Sequence, residues 1–230
     1  MIGFYDYTVV LTYLSLLSAS FGIIISLSGM GHPYIGGFFL LFCGLCDAFD
    51  GKVARTKKDR SPEEQSFGVQ IDSLSDLVAF GVLPACIGSA LLRVSPIMSH
   101  LGEEYGLILR KAVTSFLTAL LVLYVLAALI RLAYFNVTEE KRQREEGGAR
   151  QYFTGLPVTS AALIFPFILL LQYVTPYDIA PVYFASAVFT GFAFLGKFRV
   201  KKPGLKGLLI MIGIGTVEFL LMLIGRLLRC

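Results

Sequence analysis

Seven long apolar runs decide what this chain can fold into. They cover roughly residues 8–28, 34–54, 71–93, 112–136, 157–174, 179–196 and 207–228. A helix rises about 1.5 Å per residue and a bilayer's hydrocarbon is about 30 Å thick, so each run is long enough, or nearly so, to cross it. None alternates polar with apolar residues, and an open sheet leaves backbone groups unsatisfied in lipid. Composition agrees: 56% of the 230 residues are hydrophobic, 16% are charged, and the mean hydropathy is +0.73. The expected fold is all-α, a polytopic membrane helix bundle in which residues 1–230 form one membrane-embedded domain. The start carries no basic stretch or small-residue cleavage site, so the first run reads as a retained helix.

Basic residues orient the spans. With the loop after the second run in the cytoplasm, fourteen of the twenty Lys and Arg fall inside. They sit at 52–60, 141–150 and 197–206. The positive-inside rule then places the N-terminus in the cytoplasm and, with seven spans, the C-terminus outside. The expected location is the cytoplasmic membrane, with several passes. The loops 56–67 and 138–151 carry both charge signs and read as solvated connections, whereas 196–207 is purely basic and suits anionic headgroups. Nothing in the charge pattern calls for nucleic acid. Cys43 and Cys46 form a CxxC inside an apolar run and have no second pair, so they read as packing residues.

The stretch from Cys46 to Asp76 holds the chemistry. Asp47 and Asp50 are three residues apart and share a helix face; Asp72 and Asp76 are four apart and share a face on the next helix. A short connection makes the two helices antiparallel neighbours, so both pairs converge near one membrane surface. Four carboxylates at the edge of hydrocarbon repel one another strongly. Two divalent cations would balance them, and hard oxygen ligands suit Mg²⁺, Mn²⁺ or Ca²⁺. Gly51, Ala54 and Gly68 leave room for a bulky group to reach the backbone, and Arg55 offers a forked donor to a phosphate oxygen. A cation transporter would need acids along the bilayer normal, and only Glu218 is so placed.

Asp47-x-x-Asp50-Gly51-x-x-Ala54-Arg55, followed by Gly68-x-x-x-Asp72-x-x-x-Asp76, resembles the signature of the CDP-alcohol phosphotransferases at every fixed position. The departure is a twelve-residue spacer between Arg55 and Gly68, longer than is usual in the family and expected to bulge into the cytoplasm. The resemblance implies transfer of a phosphatidyl group from CDP-diacylglycerol, or an ether-lipid analogue, to an alcohol, with release of CMP. It implies two divalent cations, Mg²⁺ or Mn²⁺, on Asp47, Asp50, Asp72 and Asp76, with Asp76 as the base. Asp47, Asp50, Gly51, Ala54, Arg55 and Gly68 would bind the CDP-lipid. It also implies a six-helix core, making the seventh run peripheral, and a homodimer among membrane lipids.

DSLSD (72–76) followed by AFGVLPA (79–85), together with RLAYFN (131–136) and FTGLP (153–157), resembles the phosphatidylserine synthase branch of that family. L-serine is therefore the expected acceptor, with glycerol 3-phosphate or inositol phosphate as alternatives. Arg131 is a cation inside an apolar run and a candidate to hold a substrate carboxylate or phosphate. Ser73, Ser75 and Asn136 are further acceptor-binding candidates. Gly36, Gly37, Gly81 and Gly88 are small enough to allow close helix contacts.

Overall fold

The computed structural model describes residues 3–28, 33–145, 152–201 and 205–228. Its helices are α1 (Val10–Leu27), α2 (Pro33–Ala54), α3 (Pro62–Asp76), α4 (Leu83–Val94), α5 (Pro96–Glu145), α6 (Ala161–Val174), α7 (Ala180–Leu195) and α8 (Leu205–Leu228). All seven apolar runs are helical, and the chain is a multi-pass membrane bundle. Four stretches are long and apolar enough to cross a bilayer: Tyr7–Leu27, Pro33–Ala54, Pro62–Val94 and Pro96–Arg142. The later apolar helices are shorter, at Val158–Gln172, Ala180–Leu195 and Leu209–Gly225.

Three boundaries depart from expectation. The third span begins nine residues early, at Pro62 rather than 71, because Ser61 caps it. The Ser61 hydroxyl accepts the Glu64 N–H at 3.1 Å, and the Glu64 carboxylate accepts the Ser61 N–H at 3.0 Å. Pro at the first helical position adds a preset φ. Half of the long spacer is thus helix, not a cytoplasmic bulge. The fourth span extends on both sides of 112–136, with a break at Gly106, whose φ of +87° and ψ of 165° no helix accommodates. Its C-terminal end turns residues 138–145 of the charged loop into helix; 146–151, like Cys230, lie outside the described residues. Finally, two loops form a short antiparallel ribbon, β1 (Tyr152–Thr154) with β2 (Arg199–Lys201), in which Phe153 pairs with Val200.

The third span is one continuous helix with a π-helical segment, Leu77–Val82, between α3 and α4. It starts at the residue after Asp76. π-bulges recur at functional sites because they re-aim side chains without breaking the helix. Here Pro84 has no N–H to offer the Phe80 carbonyl four residues back. The Tyr124 hydroxyl of α5 donates to that carbonyl instead, at 2.6 Å. One turn on, the Tyr183 hydroxyl of α7 donates to the Pro84 carbonyl at 2.7 Å. Both tyrosines are buried. The irregular helix is therefore pinned from two sides within hydrocarbon, where an unpaired carbonyl is costly.

Small residues set the helix spacings. A Cβ on Gly36 would meet Ser26 and Ile87, on Gly88 Tyr183 and Leu121, and on Gly44 Ala162. On Gly37 it would meet Leu169 and Met222, which brings α8 against α2 and α6. Cys43 and Cys46 are buried, as packing residues should be, and the Cys43 thiol donates to the Ser15 carbonyl at 3.3 Å. Around Phe80, Leu83, Ile87, Phe165 and Tyr183 these contacts close the core.

The N-terminal segment ties down the α2–α3 loop. Asp6 caps a 3₁₀ turn at Tyr7–Val9 by accepting the Thr8 N–H. Its other oxygen accepts from Lys57 Nζ at 2.7 Å, and the same ammonium reaches Glu64 at 3.1 Å. Phe4 packs edge-on against Phe67, with ring centroids 5.4 Å apart. The loop is thereby held to both α1 and α3.

Tyr124→Phe removes the partner of the Phe80 carbonyl and is expected to cost about 1 kcal/mol. Thermal unfolding in detergent should show a lowered midpoint; an unchanged midpoint would mean the carbonyl is satisfied without the tyrosine. The Lys57 ammonium, followed by Thr8, holds the Asp6 carboxyl down at about 2. An unfolded aspartate titrates near ~3.9. The latch's contribution, at most about 1 kcal/mol for a partly exposed surface pair, is full above ~4 and lost as pH falls toward ~2. Limited proteolysis should release the N-terminal segment faster over that window, and Asp6→Asn should do so already at neutral pH. Protection that is flat with pH in both proteins would contradict the latch.

Candidate active site

Asp47 and Asp50 lie on the last two turns of α2, and Asp72 and Asp76 on the last two turns of α3. Asp50 and Asp76 are each only 8% exposed, and Asp47 and Asp72 are partly buried. The structure brings the four together. The Asp50 and Asp72 carboxyls face each other within hydrogen-bonding reach. Asp47 lies in the field of Asp72, and Asp76 in the field of the other three. The Asp50 carboxylate also accepts the Gly51 N–H. None of the four makes an ion pair with Lys, Arg or His among the described residues.

The two helices are less intimate than a short connection suggests. α2 packs chiefly on α1, α4 and α6, and α1 shares more backbone contact with α3 than α2 does. α2 and α3 therefore approach each other little at the end that carries the carboxylates. No three His, Cys, Asp or Glu side chains among the described residues are spaced to enclose a metal ion as they stand. The donor set itself fits hard divalent cations: four buried or half-buried carboxylates on two faces, none ion-paired among the described residues. Thiol ligands do not enter, since the Cys43 thiol is engaged with α1.

Each helix of the pair carries a glycine with an arginine folded over it. On α2, the Arg55 guanidinium lies 3.4 Å from where a Cβ on Gly51 would stand. On α3, Nη2 of Arg60 lies 2.6 Å from where a Cβ on Gly68 would stand. Gly68 therefore leaves room for an arginine that the motif does not contain. Ala54 ends α2 and is half-buried beside this rim, and Arg55 is exposed.

The acceptor candidates separate. Nδ2 of Asn136 donates to the Ser73 hydroxyl at 2.7 Å, which joins α5 to α3 one residue from Asp72. The Ser75 hydroxyl is buried on the other side of α3 and donates to the Thr12 carbonyl of α1 at 3.2 Å. Arg131 is 4% exposed; its Nε donates to the Leu156 carbonyl at 3.0 Å, and its guanidinium stands 5.7 Å from the Phe135 ring. This bond joins the stretches RLAYFN and FTGLP in space. Gly155, at φ +75°, donates its N–H to the Phe198 carbonyl at 2.7 Å, and a Cβ there would meet the Gly196 carbonyl oxygen at 2.7 Å. The Leu156 N–H bonds the Ala193 carbonyl at 3.0 Å. FTGLP is thus a junction between α5, α6 and the end of α7. It needs a glycine because only a residue without Cβ fits that turn.

Sequence reasoning missed Arg60, Tyr124 and the Asp6–Lys57–Glu64 cluster. For Tyr124 a signal existed: Pro84 in a predicted span announces an orphaned carbonyl at Phe80. For Arg60 none did, since a basic residue in a charged loop looks like any other.

The chain is similar to several known proteins. A CDP-diacylglycerol–serine O-phosphatidyltransferase of Saccharomyces cerevisiae is 35% identical over 142 residues, covering 60% of this chain and 43% of that one. The Helicobacter pylori protein of the same name is 30% identical over 128 residues, covering 56% and 43%. An archaetidylserine synthase of Methanothermobacter thermautotrophicus is 35% identical over 152 residues, covering 65% and 53%. The chain spans about half the length of these relatives. The profile of the CDP-alcohol phosphatidyltransferases matches residues 8–195, from the start of α1 to the end of α7, and the chain belongs to that family.

Proposed function

We propose that this protein transfers the phosphatidyl group of CDP-diacylglycerol to L-serine, giving phosphatidylserine and CMP. One observation carries the reading: four carboxylates from two helices converge, and among the described residues none of them is ion-paired with Lys, Arg or His. Beside them stand two glycines under arginines, a cradle suited to a diphosphate. The three relatives have serine in common in their names and differ in the lipid, which supports serine as the acceptor. The Asn136–Ser73 pair, next to Asp72, is a natural polar contact for a small zwitterion. Glycerol 3-phosphate and inositol phosphate would want more positive charge on the later helices than Arg131 supplies.

In this reading the serine hydroxyl oxygen bonds to the phosphorus that carries diacylglycerol. The bond from that phosphorus to the oxygen bridging to CMP breaks, and CMP leaves with the electron pair. The serine proton passes to the Asp76 carboxylate, which is buried at the start of the π segment. Mg²⁺ or Mn²⁺, held by Asp47, Asp50, Asp72 and Asp76, would polarise the diphosphate and offset charge on the departing CMP. Arg55 and Gly51 bind the diphosphate from α2 and hold it in line with the hydroxyl, and positioning supplies much of the rate. Arg131 fixes the α5–α6 junction that borders the acceptor side.

The same reading sets the protein in the cytoplasmic membrane, its site facing the cytoplasm, where CMP escapes to water while the lipid chains stay in the bilayer. It takes residues 1–230 as one domain, with α8 added outside the matched range, and a homodimer as the working unit. Light scattering of the detergent complex checks the dimer.

Asp76→Asn is expected to lower turnover by about a thousandfold or more while leaving CDP-diacylglycerol binding within a few-fold of the parent. Asp47→Ala should lose nucleotide binding and turnover together. Incorporation of labelled serine into lipid, with CDP binding measured on the same preparations, checks both. Normal turnover in Asp76→Asn would remove Asp76 as the base.

A further inference from the structure

We infer that Arg60, just before the cap of α3, is a second diphosphate-binding arginine, the counterpart of Arg55 just after α2. The inference rests on the CDP-lipid reading above and concerns a residue in the long spacer, outside the signature. Nη2 of Arg60 donates to the Glu64 carbonyl at 3.1 Å, and the Gln65 side chain holds the Arg60 carbonyl at 3.1 Å. The Arg60 Nε is buried and has no acceptor. A guanidinium donor withheld from water with nothing to bond is costly, and the deficit asks for an acceptor brought from outside.

The nearby acid does not supply it. The Glu64 carboxylate is engaged by Lys57 and by the Ser61 N–H, and no carboxylate among the described residues pairs with Arg60. An anionic oxygen is thus the missing partner. The guanidinium lies against Gly68. Gly68, Asp72 and Asp76 follow at intervals of four and share one face of α3. A charge over Gly68 stands one turn, about 6 Å, from Asp72. On α2, Gly51 under Arg55 stands four residues from Asp47, the same one-turn spacing. Each arginine therefore covers a glycine on a helix that carries two of the four carboxylates, one arginine for each end of a diphosphate. Nε and an Nη of one planar fork suit two oxygens of a phosphate.

The test is CDP binding to purified full-length protein in phospholipid-free detergent with Mg²⁺, by calorimetry, with cytidine as the arm lacking phosphate. Arg60→Gln is expected to weaken CDP binding about tenfold to a hundredfold and to leave cytidine binding unchanged. Arg60→Lys keeps the charge without the fork and should recover only part of the loss; it serves as well if the glutamine variant folds poorly. CDP binding equal to the parent in both variants would overturn the inference, even if either altered association with anionic vesicles, since Arg60 would then serve lipid headgroups. Equal losses for cytidine and CDP would overturn it too, as a general disturbance of the site. A parent that does not bind CDP would instead overturn the proposed function.

Discussion

The rest of this structure is arranged around mutual repulsion among four carboxylates at the edge of hydrocarbon. Asp47, Asp50, Asp72 and Asp76 are held together by helices whose apolar faces leave them no retreat. Such a cluster is tolerable only where packing fixes it and cations offset it. The packing is visible. α1 braces α3 through the Ser75–Thr12 bond, and Gly44 lets α2 close on α6. Tyr124 and Tyr183 hold the π segment that follows Asp76. The tether of Asp6, Lys57 and Glu64 keeps the α2–α3 loop from carrying the two halves apart.

Electrostatics and access meet at the same end of the bundle. The carboxylates stand near the end of α2 and within the first half of the third span, and Arg55 and Arg60 lie over Gly51 and Gly68 on the same two helices. α2 and α3 share little backbone contact there, and α1 braces α3 instead.

Much of this was legible in the sequence. The apolar runs gave all seven helical segments because hydrocarbon leaves the backbone few alternatives. The i, i+3 and i, i+4 spacing of the aspartates predicted two faces that meet. The early start of α3 was hidden, since Ser61 and Glu64 look like ordinary loop charge until they are seen as a capping box. The π segment was hidden too: the Tyr124 hydroxyl that bonds its Phe80 carbonyl comes from another helix, 40 residues beyond Pro84. Ser75 shows the limit of local inference. Two serines beside Asp72 look equivalent in sequence, but residues two apart on a helix face different neighbours, and only Ser73 meets Asn136.

The most direct test of the account is CMP release by the purified protein with CDP-diacylglycerol and Mg²⁺ or Mn²⁺, run in parallel with serine, glycerol 3-phosphate, inositol phosphate or no acceptor. The account predicts release that depends on serine and stops when the divalent cation is chelated. Release supported by another acceptor and not by serine, or serine-dependent release that survives chelation, would contradict it.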